Sequence, residues 1–332
     1  MEEPFEPTDR QRLMLFHIAK AFGIGLAFAL GTYLLIEAAS WDSGLVSLTF
    51  LAILPACISA FIAWAGDPHN ERSRSYYMLV PLILLGTVIV ASLVFLQEGA
   101  VCVVMLSPIW LASSYLGIWL LRRTRPSEER FDANIFRSSL LVVPLIAMQI
   151  EPMIPLPQET ATVTRSIIVE ADADAIWPQL EGMQDIEDGE GRWNVTQDMI
   201  GVPRPVGATL DAEGIGAARH ADWGYIYFAE RIIEWDKGHK IGWDFDFSDS
   251  SGWEFTDRHL VPGNGYYDVV DGGYTLKDLG DGRTEVTLHT RYWMQTPVNL
   301  YARAWGELFL GDISNNLLTT IKQRSEAIQA AR

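Results

Sequence analysis

The sequence has little of what most chemical signatures require. Only two of its 332 residues are cysteine, Cys57 and Cys102, and both lie inside long apolar runs, which excludes a disulfide framework and a cysteine zinc site. The six histidines, His17, His69, His220, His239, His259 and His289, show no HExxH or similar ligand spacing, and neither a GxSxG elbow nor a phosphate-binding loop occurs. No metal, no cofactor and no catalytic residue is therefore assigned. Positive charge is also scarce. Against 42 Asp+Glu stand 25 Lys+Arg, a net charge of −17, and a field of that sign repels a phosphate backbone, so nucleic acid is not an expected partner. Charged residues make up 20% and apolar residues 49%, a balance that removes the disordered and fibrous classes.

What the chain does have is long hydrophobic runs, all in its first half. Residues 1–155 carry 10 Lys+Arg and 13 Asp+Glu, whereas residues 156–332 carry 15 and 29, so −14 of the net −17 belongs to the second half. A helix needs about 20 apolar residues to cross a hydrocarbon core at about 1.5 Å per residue. Four segments, about 18–39, 45–65, 76–96 and 99–121, reach that length, and only Lys20 and Glu37 place charge in them. Trp41, Trp64, Tyr76, Tyr77 and Trp119 fall near their ends, where an amphipathic ring sits at the membrane interface. A fifth segment, 138–157, contains Gln149, Glu151 and four prolines and has a shorter apolar core.

With the N-terminus in the cytoplasm, one side collects Arg10, Arg12, Lys20, Arg72, Arg74, Arg122, Arg123, Arg125, Arg130 and Arg137, and the loops near 40–44 and 97–98 carry no cation. That distribution obeys the positive-inside rule and predicts a multi-pass protein of the cell (inner) membrane. Crossing by segment 138–157 puts the second half outside the cytoplasm, which is the expected topology; without that crossing it stays inside. Pro55, Pro81 and Pro108 are read as tolerated kinks, and no ionisable group marks a transport path at membrane depth.

From about residue 160 the pattern changes to short alternating stretches, which predicts an α+β domain over 160–332 behind a transmembrane helical domain over 1–157. Strands are expected near 163–170, 206–212, 216–223, 225–235, 240–247, 266–278 and 284–294, with turns at DKGH 236–239 and DLGDGR 278–283 and a closing helix over 298–330. Alternation in 241–247 puts Ile241, Trp243, Phe245 and Phe247 on one face, joined by Tyr274, Leu276, Val286, Leu288, Thr290 and Tyr292 from later strands. In 225–235 two registers compete, one turning Glu230 inward and the other Arg231. An inward ionisable group is a site candidate, because burying it unpaired is costly.

Several segments in this order, IIVEADADAIWPQL, GVPRP with GIGAARHADW, YFAERIIEWDKGHKIGWDF and GGYTLKDLGDGRTEVTLHTRYW before the last helix, resemble the START-like or SRPBCC superfamily, including its polyketide cyclase/dehydrase and lipid-transport group. The resemblance implies a helix-grip fold, an antiparallel sheet closed by a long C-terminal helix over an apolar cavity. On that basis Trp223, Phe228, Trp243, Phe245, Tyr274, Leu288, Tyr292, Trp305 and Leu308 are the expected lining for a lipid or other hydrophobic small molecule, the bilayer being the second partner. Gly306 and Gly311 in the closing helix either leave room for that molecule or permit close approach to the sheet. The leading expectation is a binding protein, with two competitors. One is a cyclase- or hydratase-like enzyme using Glu230, Arg231 or Asp312; the other is a membrane sensor or scaffold working through the loop 122–137. His220 with Asp222, the acidic runs 185–190 and 244–249, and the NVT acceptor at Asn194 are weaker features, read as surface or chance.

Overall fold

A computed structural model describes residues 9–38, 47–67, 70–91, 100–124, 133–247, 262–263 and 265–332. Trp41, His69, His259, Asp249 and residues 125–132 of the loop 122–137 lie outside the described residues. The chain forms two compact units whose main division falls between Pro155 and Leu156.

The first unit contains α1 (Asp9–Ala38), α2 (Leu54–Gly66), α3 (Arg74–Ala91), α4 (Ala100–Thr124) and α5 (Ala133–Ile150). A π-helical turn, Thr49–Ile53, runs directly into α2, and Pro55 occupies the first turn there, where its missing N–H costs least. Leu54, Ile58, Ile62 and Ala63 of α2 are completely buried. The other helices keep apolar side chains on the outside: Met78, Leu82 and Ile83 of α3, Leu116 and Trp119 of α4, Ile146 of α5. The unit thus has an apolar core and exposed apolar side chains on several of its helices. Three described stretches, Thr49–Gly66, Arg74–Ala91 and Val104–Thr124, are long and apolar enough to cross a membrane; the apolar stretches Ile18–Thr32 and Ser139–Met153 are shorter.

Polar contacts pin the ends of these helices. Glu151, in a 3₁₀ turn after α5, accepts from the backbone N–H of Leu48 and, at 2.9 Å, of Thr49, so its carboxylate caps the turn that leads into α2. Buried Asp67 organises the loop after α2 by accepting from Glu71 N and Arg72 N, both at 2.9 Å, and from the Tyr77 hydroxyl at 2.6 Å. Helices α2 and α4 touch backbone to backbone at Gly117, where a Cβ would overlap the Ala56 carbonyl.

The second unit is one antiparallel sheet against one long helix. Its strands are β1 (Gln158–Val169), β2 (Gly207–Leu210), β3 (Ala218–Asp222), β4 (Tyr227–Asp236), β5 (Lys240–Asp246), β6 (Tyr267–Gly280) and β7 (Arg283–Gln295), in the spatial order β1-β7-β6-β5-β4-β3-β2. Between β1 and β2 lie α6 (Ala173–Glu181) and a π-helical turn, Val195–Ile200; α7 (Asn299–Ala330) closes the unit. Strand β1 starts five residues earlier than its apolar content predicts. Gln158–Thr162 are polar apart from Ala161, but their backbone pairs with Arg291–Gln295, and a ladder needs only N–H and C=O groups. The tight β6–β7 connection uses left-handed backbone at Gly280, Asp281 and Gly282.

Inner-face residues follow strict alternation. Ile241 and Trp243 of β5, Tyr274 and Leu276 of β6, Val286 and Leu288 of β7 and Val169 of β1 form one core with Leu318 and Ile321 of α7 and with Ile176, Trp177 and Leu180 of α6. A second cluster, Ala161, Val163, Tyr292 and Met294, packs against Ala302 and Leu310 near the start of α7.

Candidate functional site

Strand β4 resolves the competing registers. Ile226, Glu230 and Ile232 are buried while Arg231 is exposed, so the β4 row facing the core is the one that contains Glu230. A carboxylate there needs a partner, and the sheet register supplies it: Glu230 lies directly across from Arg219 of β3 on one side and Phe245 of β5 on the other. Arg219 donates through Nη1 to Glu230 Oε2, and both residues are 5% exposed. The Arg219 guanidinium also lies 5.0 Å from the Trp243 ring centroid and adjoins the hydroxyl of Tyr274. Burial pushes the Glu230 carboxyl above its ordinary value, against the pull of Arg219. Burial likewise raises the Tyr274 hydroxyl to about 12, so it is a neutral donor at any physiological pH. The result is an ion pair with a phenol set into an aromatic surface.

That surface is a chain of rings. Trp243 lies 5.4 Å from Tyr274 and 6.2 Å from Phe245; Phe228 lies 6.0 Å from Phe245, 5.3 Å from Phe247 and 5.9 Å from Trp223. Gly272 of β6 makes the placement possible: a Cβ there would stand 3.3 Å from both the Trp243 and Phe245 rings. Trp243 and Tyr274 are buried, yet Trp223, Phe228, Phe245 and Phe247 are only half-buried although Phe228, Phe245 and Phe247 belong to inward rows. These inward rings are therefore left partly uncovered, and Phe228 also borders a cleft at the β2 edge.

The expected lining does not stay together. Trp223, Phe228, Trp243, Phe245 and Tyr274 share the ring chain, and Leu288 joins the core beneath it. Tyr292 belongs to the other cluster, with Tyr267 at 6.1 Å. Trp305 stacks along α7 with Tyr301 at 6.3 Å and Phe309 at 5.4 Å, and the Leu308 carbonyl accepts from Thr196 Oγ1 at 3.5 Å. The helix glycines serve close approach: a Cβ on Gly306 would overlap the Tyr292 hydroxyl, and one on Gly311 the Arg165 guanidinium.

Other candidates take structural places. Asp312 accepts from Thr196 N at 3.0 Å and Thr196 Oγ1 at 2.8 Å, which ties α7 to the 195–200 turn. Asn194 is buried and caps that same turn by accepting from Gln197 N at 2.8 Å, so its side chain is not available for a glycan. Asp222 accepts from Gly224 N at 2.8 Å, while His220 is exposed. A cleft of about 550 Å³ lies at the β2 edge, lined by Thr209, His220, Asp222, Tyr227 and Asp246 of the exposed rows with Ala208, Ala221 and Phe228 of the buried ones. Among the described residues no group of three or more His, Cys, Asp or Glu is placed to hold a metal ion.

Arg219 is the site residue that sequence reasoning missed. Its signal was present in ARHAD, where the alternation that buries Ala221 also buries Arg219 and exposes His220.

An antiparallel sheet with one long C-terminal helix across it is the arrangement of a helix-grip domain. No family model and no curated protein matches the sequence. Among solved structures, the chain is similar to the Zhui aromatase/cyclase from Streptomyces sp. R1128, at 15% identity, 52% coverage of this chain, 98% of that chain and a TM-score of 0.32. It is similar to norcoclaurine synthase from Thalictrum flavum, at 12% identity, 51% and 98% coverage and a TM-score of 0.29. Major latex-like protein 151 from Panax ginseng matches at 10% identity, 51% and 97% coverage and a TM-score of 0.29. All three have helix-grip folds.

Proposed function

We propose that this protein is a membrane-anchored binding module: residues 1–157 hold it in the bilayer, and the domain over 160–332 takes a lipid or other hydrophobic small molecule against its inner aromatic face. One observation carries the reading. Phe228, Phe245 and Phe247 are on inward rows of the sheet, Phe245 stacked on Phe247 and Phe228 tilted against both, yet remain only partly buried, and apolar rings gain free energy when their uncovered faces are met by apolar surface. The apolar exterior of the first unit supports the anchor, and the arginine distribution supports a cytoplasmic N-terminus with the second unit outside the cytoplasm.

The test is native mass spectrometry of the full chain extracted in mild detergent, beside a Phe228→Asp variant. The expected result is a co-purifying apolar adduct on the wild type that is largely lost from the variant. A wild type with no adduct and no affinity for a fluorescent apolar probe would refute the reading. Reporter fusions at residue 130 and after residue 332 test the topology, and reporters active on the same side overturn it.

A second reading, catalysis on a hydrophobic substrate, is favoured by one feature only: Arg219, Glu230 and Tyr274 are collected on the face where the molecule is proposed to lie. Substrate turnover lost in Glu230→Gln with binding intact supports it.

A further inference from the structure

Two buried donors on the inner face meet no acceptor among the described residues. Arg219 commits Nη1 to Glu230, but its Nε has no hydrogen-bond partner among the described residues, and the same holds for Trp243 Nε1. Both residues are more than nine-tenths buried, at 5% and 3% exposure, and they are neighbours, with Arg219 Cζ 5.0 Å from the Trp243 ring centroid. Native structures pair nearly all buried N–H groups, because a donor removed from water and left unmet forfeits its hydration without return. Two such donors on neighbouring residues of the inner aromatic face call for an acceptor from outside the chain.

We infer that Arg219 Nε–H and Trp243 Nε1–H recognise a neutral carbonyl-class oxygen, that of a ketone, ester or amide, on the hydrophobic molecule; the inference rests on the binding reading above. The chemistry of the acceptor follows from what the site offers. It offers donors, and among the described residues no buried acceptor beside them is unpaired. A carbonyl oxygen brings two lone pairs and no proton, so it meets two donors and leaves nothing over. A hydroxyl would bring a proton with no free acceptor. A carboxylate would add a second negative charge to a low-dielectric site where Glu230 already neutralises Arg219, and burying an uncompensated charge is costly.

The experiment measures energy transfer from tryptophan to two neutral naphthalene probes of similar size, using the full chain in dodecylmaltoside. Prodan carries a propionyl carbonyl; N-phenyl-1-naphthylamine carries no oxygen. Trp243→Phe keeps the buried ring and removes its N–H, and Arg219→Lys keeps the charge opposite Glu230 and removes Nε–H; near-UV circular dichroism verifies that each variant is folded. The expected result is prodan affinity weakened about five- to tenfold in both variants, the effect of one lost hydrogen bond, with N-phenyl-1-naphthylamine affinity unchanged within about twofold. Equal losses for the two probes would overturn the inference, since they mean lost packing. So would cis-parinarate binding more tightly than prodan, with the preference retained in Arg219→Lys, which keeps the charge; that identifies an anion site. N-phenyl-1-naphthylamine bound by a wild type that ignores prodan refutes the carbonyl site and leaves the binding reading standing, whereas a wild type that binds none of the three removes both.

Discussion

Replacing one member of the Arg219–Glu230 pair and then both is the perturbation whose outcome the structure constrains most. Glu230→Leu leaves a guanidinium 5% exposed with no counter-charge, and Arg219→Met leaves a carboxylate in the same position. Breaking a buried pair from one side costs about 3–5 kcal/mol. Arg219→Met also removes the guanidinium that adjoins the Tyr274 hydroxyl, worth about 1 kcal/mol more. The double variant removes both charges and fills the space with apolar atoms of similar volume, so its stability lies between the wild type's and about 1–4 kcal/mol above it. With singles of about 3–5 and about 4–6 kcal/mol, the cycle therefore predicts a coupling of at least about 7 kcal/mol, far above what non-interacting residues show. Urea unfolding of the sheet domain in the detergent-solubilised chain, followed by near-UV circular dichroism of the Trp243 and Tyr274 environment, reads it out. A pH series adds a sign test. The folded Glu230 carboxyl is held above its ordinary value of 4.5, so the native state keeps its proton longer and ionisation of Glu230 lowers stability as pH rises from 4.5 through the folded value. Glu230→Leu has no such titration, so the gap between wild type and Glu230→Leu is widest below pH 4.5 and narrows as pH rises through the folded value. Singles that cost under about 1 kcal/mol, with a coupling under about 0.5 kcal/mol, would show that the pair is solvated and that the buried-site argument is wrong. A double variant that is stable but binds no apolar probe would assign the pair to function.

Three further outcomes are expected. Gly117→Ala drives a Cβ into the Ala56 carbonyl, and backbone cannot rotate away as a side chain can, so thermal aggregation of the detergent-solubilised chain begins several degrees lower; Gly86→Ala, which meets nothing within 4 Å, is neutral or stabilising by up to about 1 kcal/mol. Gly306→Ala gains a similar helix increment, but its Cβ overlaps the Tyr292 hydroxyl and the ring carbons Cζ and Cε2, so it is destabilising in wild type; its cost shrinks in a Tyr292→Leu background and persists in Tyr292→Phe, which keeps the ring, a difference measurable by melting curves. The Arg324 guanidinium beside Glu190, at 2.6 and 2.7 Å, holds that carboxyl below its ordinary value of 4.5, so its stabilisation is present above 4.5 and lost as pH falls through the folded value. Glu190→Gln is accordingly the less stable protein at neutral pH, and acid titration brings the two melting temperatures together; a gap that widens in acid refutes the assignment.

Local pattern was enough for most of the second domain's elements. The alternation Ile241–Trp243–Phe245, the turn residues at 236–239 and 278–283, and the proline-free stretch after residue 298 each act within a few residues, so strands, turns and the closing helix were readable from neighbours alone. The apolar runs before residue 155 were legible for the same reason, since hydrophobic length is a local property. What the chain could not declare by itself depends on cross-strand register. Whether Glu230 or Arg231 turns inward is decided by which β3 residue stands opposite, and a shift of one residue would exchange the faces. Arg219 became a site residue only when β3 and β4 paired, just as polar Gln158–Thr162 became strand only when β7 offered its backbone. Likewise Gly306 and Gly311 are ambiguous in sequence, and only the packing of Tyr292 and Arg165 against α7 shows that they admit side chains of the sheet. Burial of charge and contact between distant elements are properties of the assembled fold, because they arise from atoms far apart along the chain that come together only on folding.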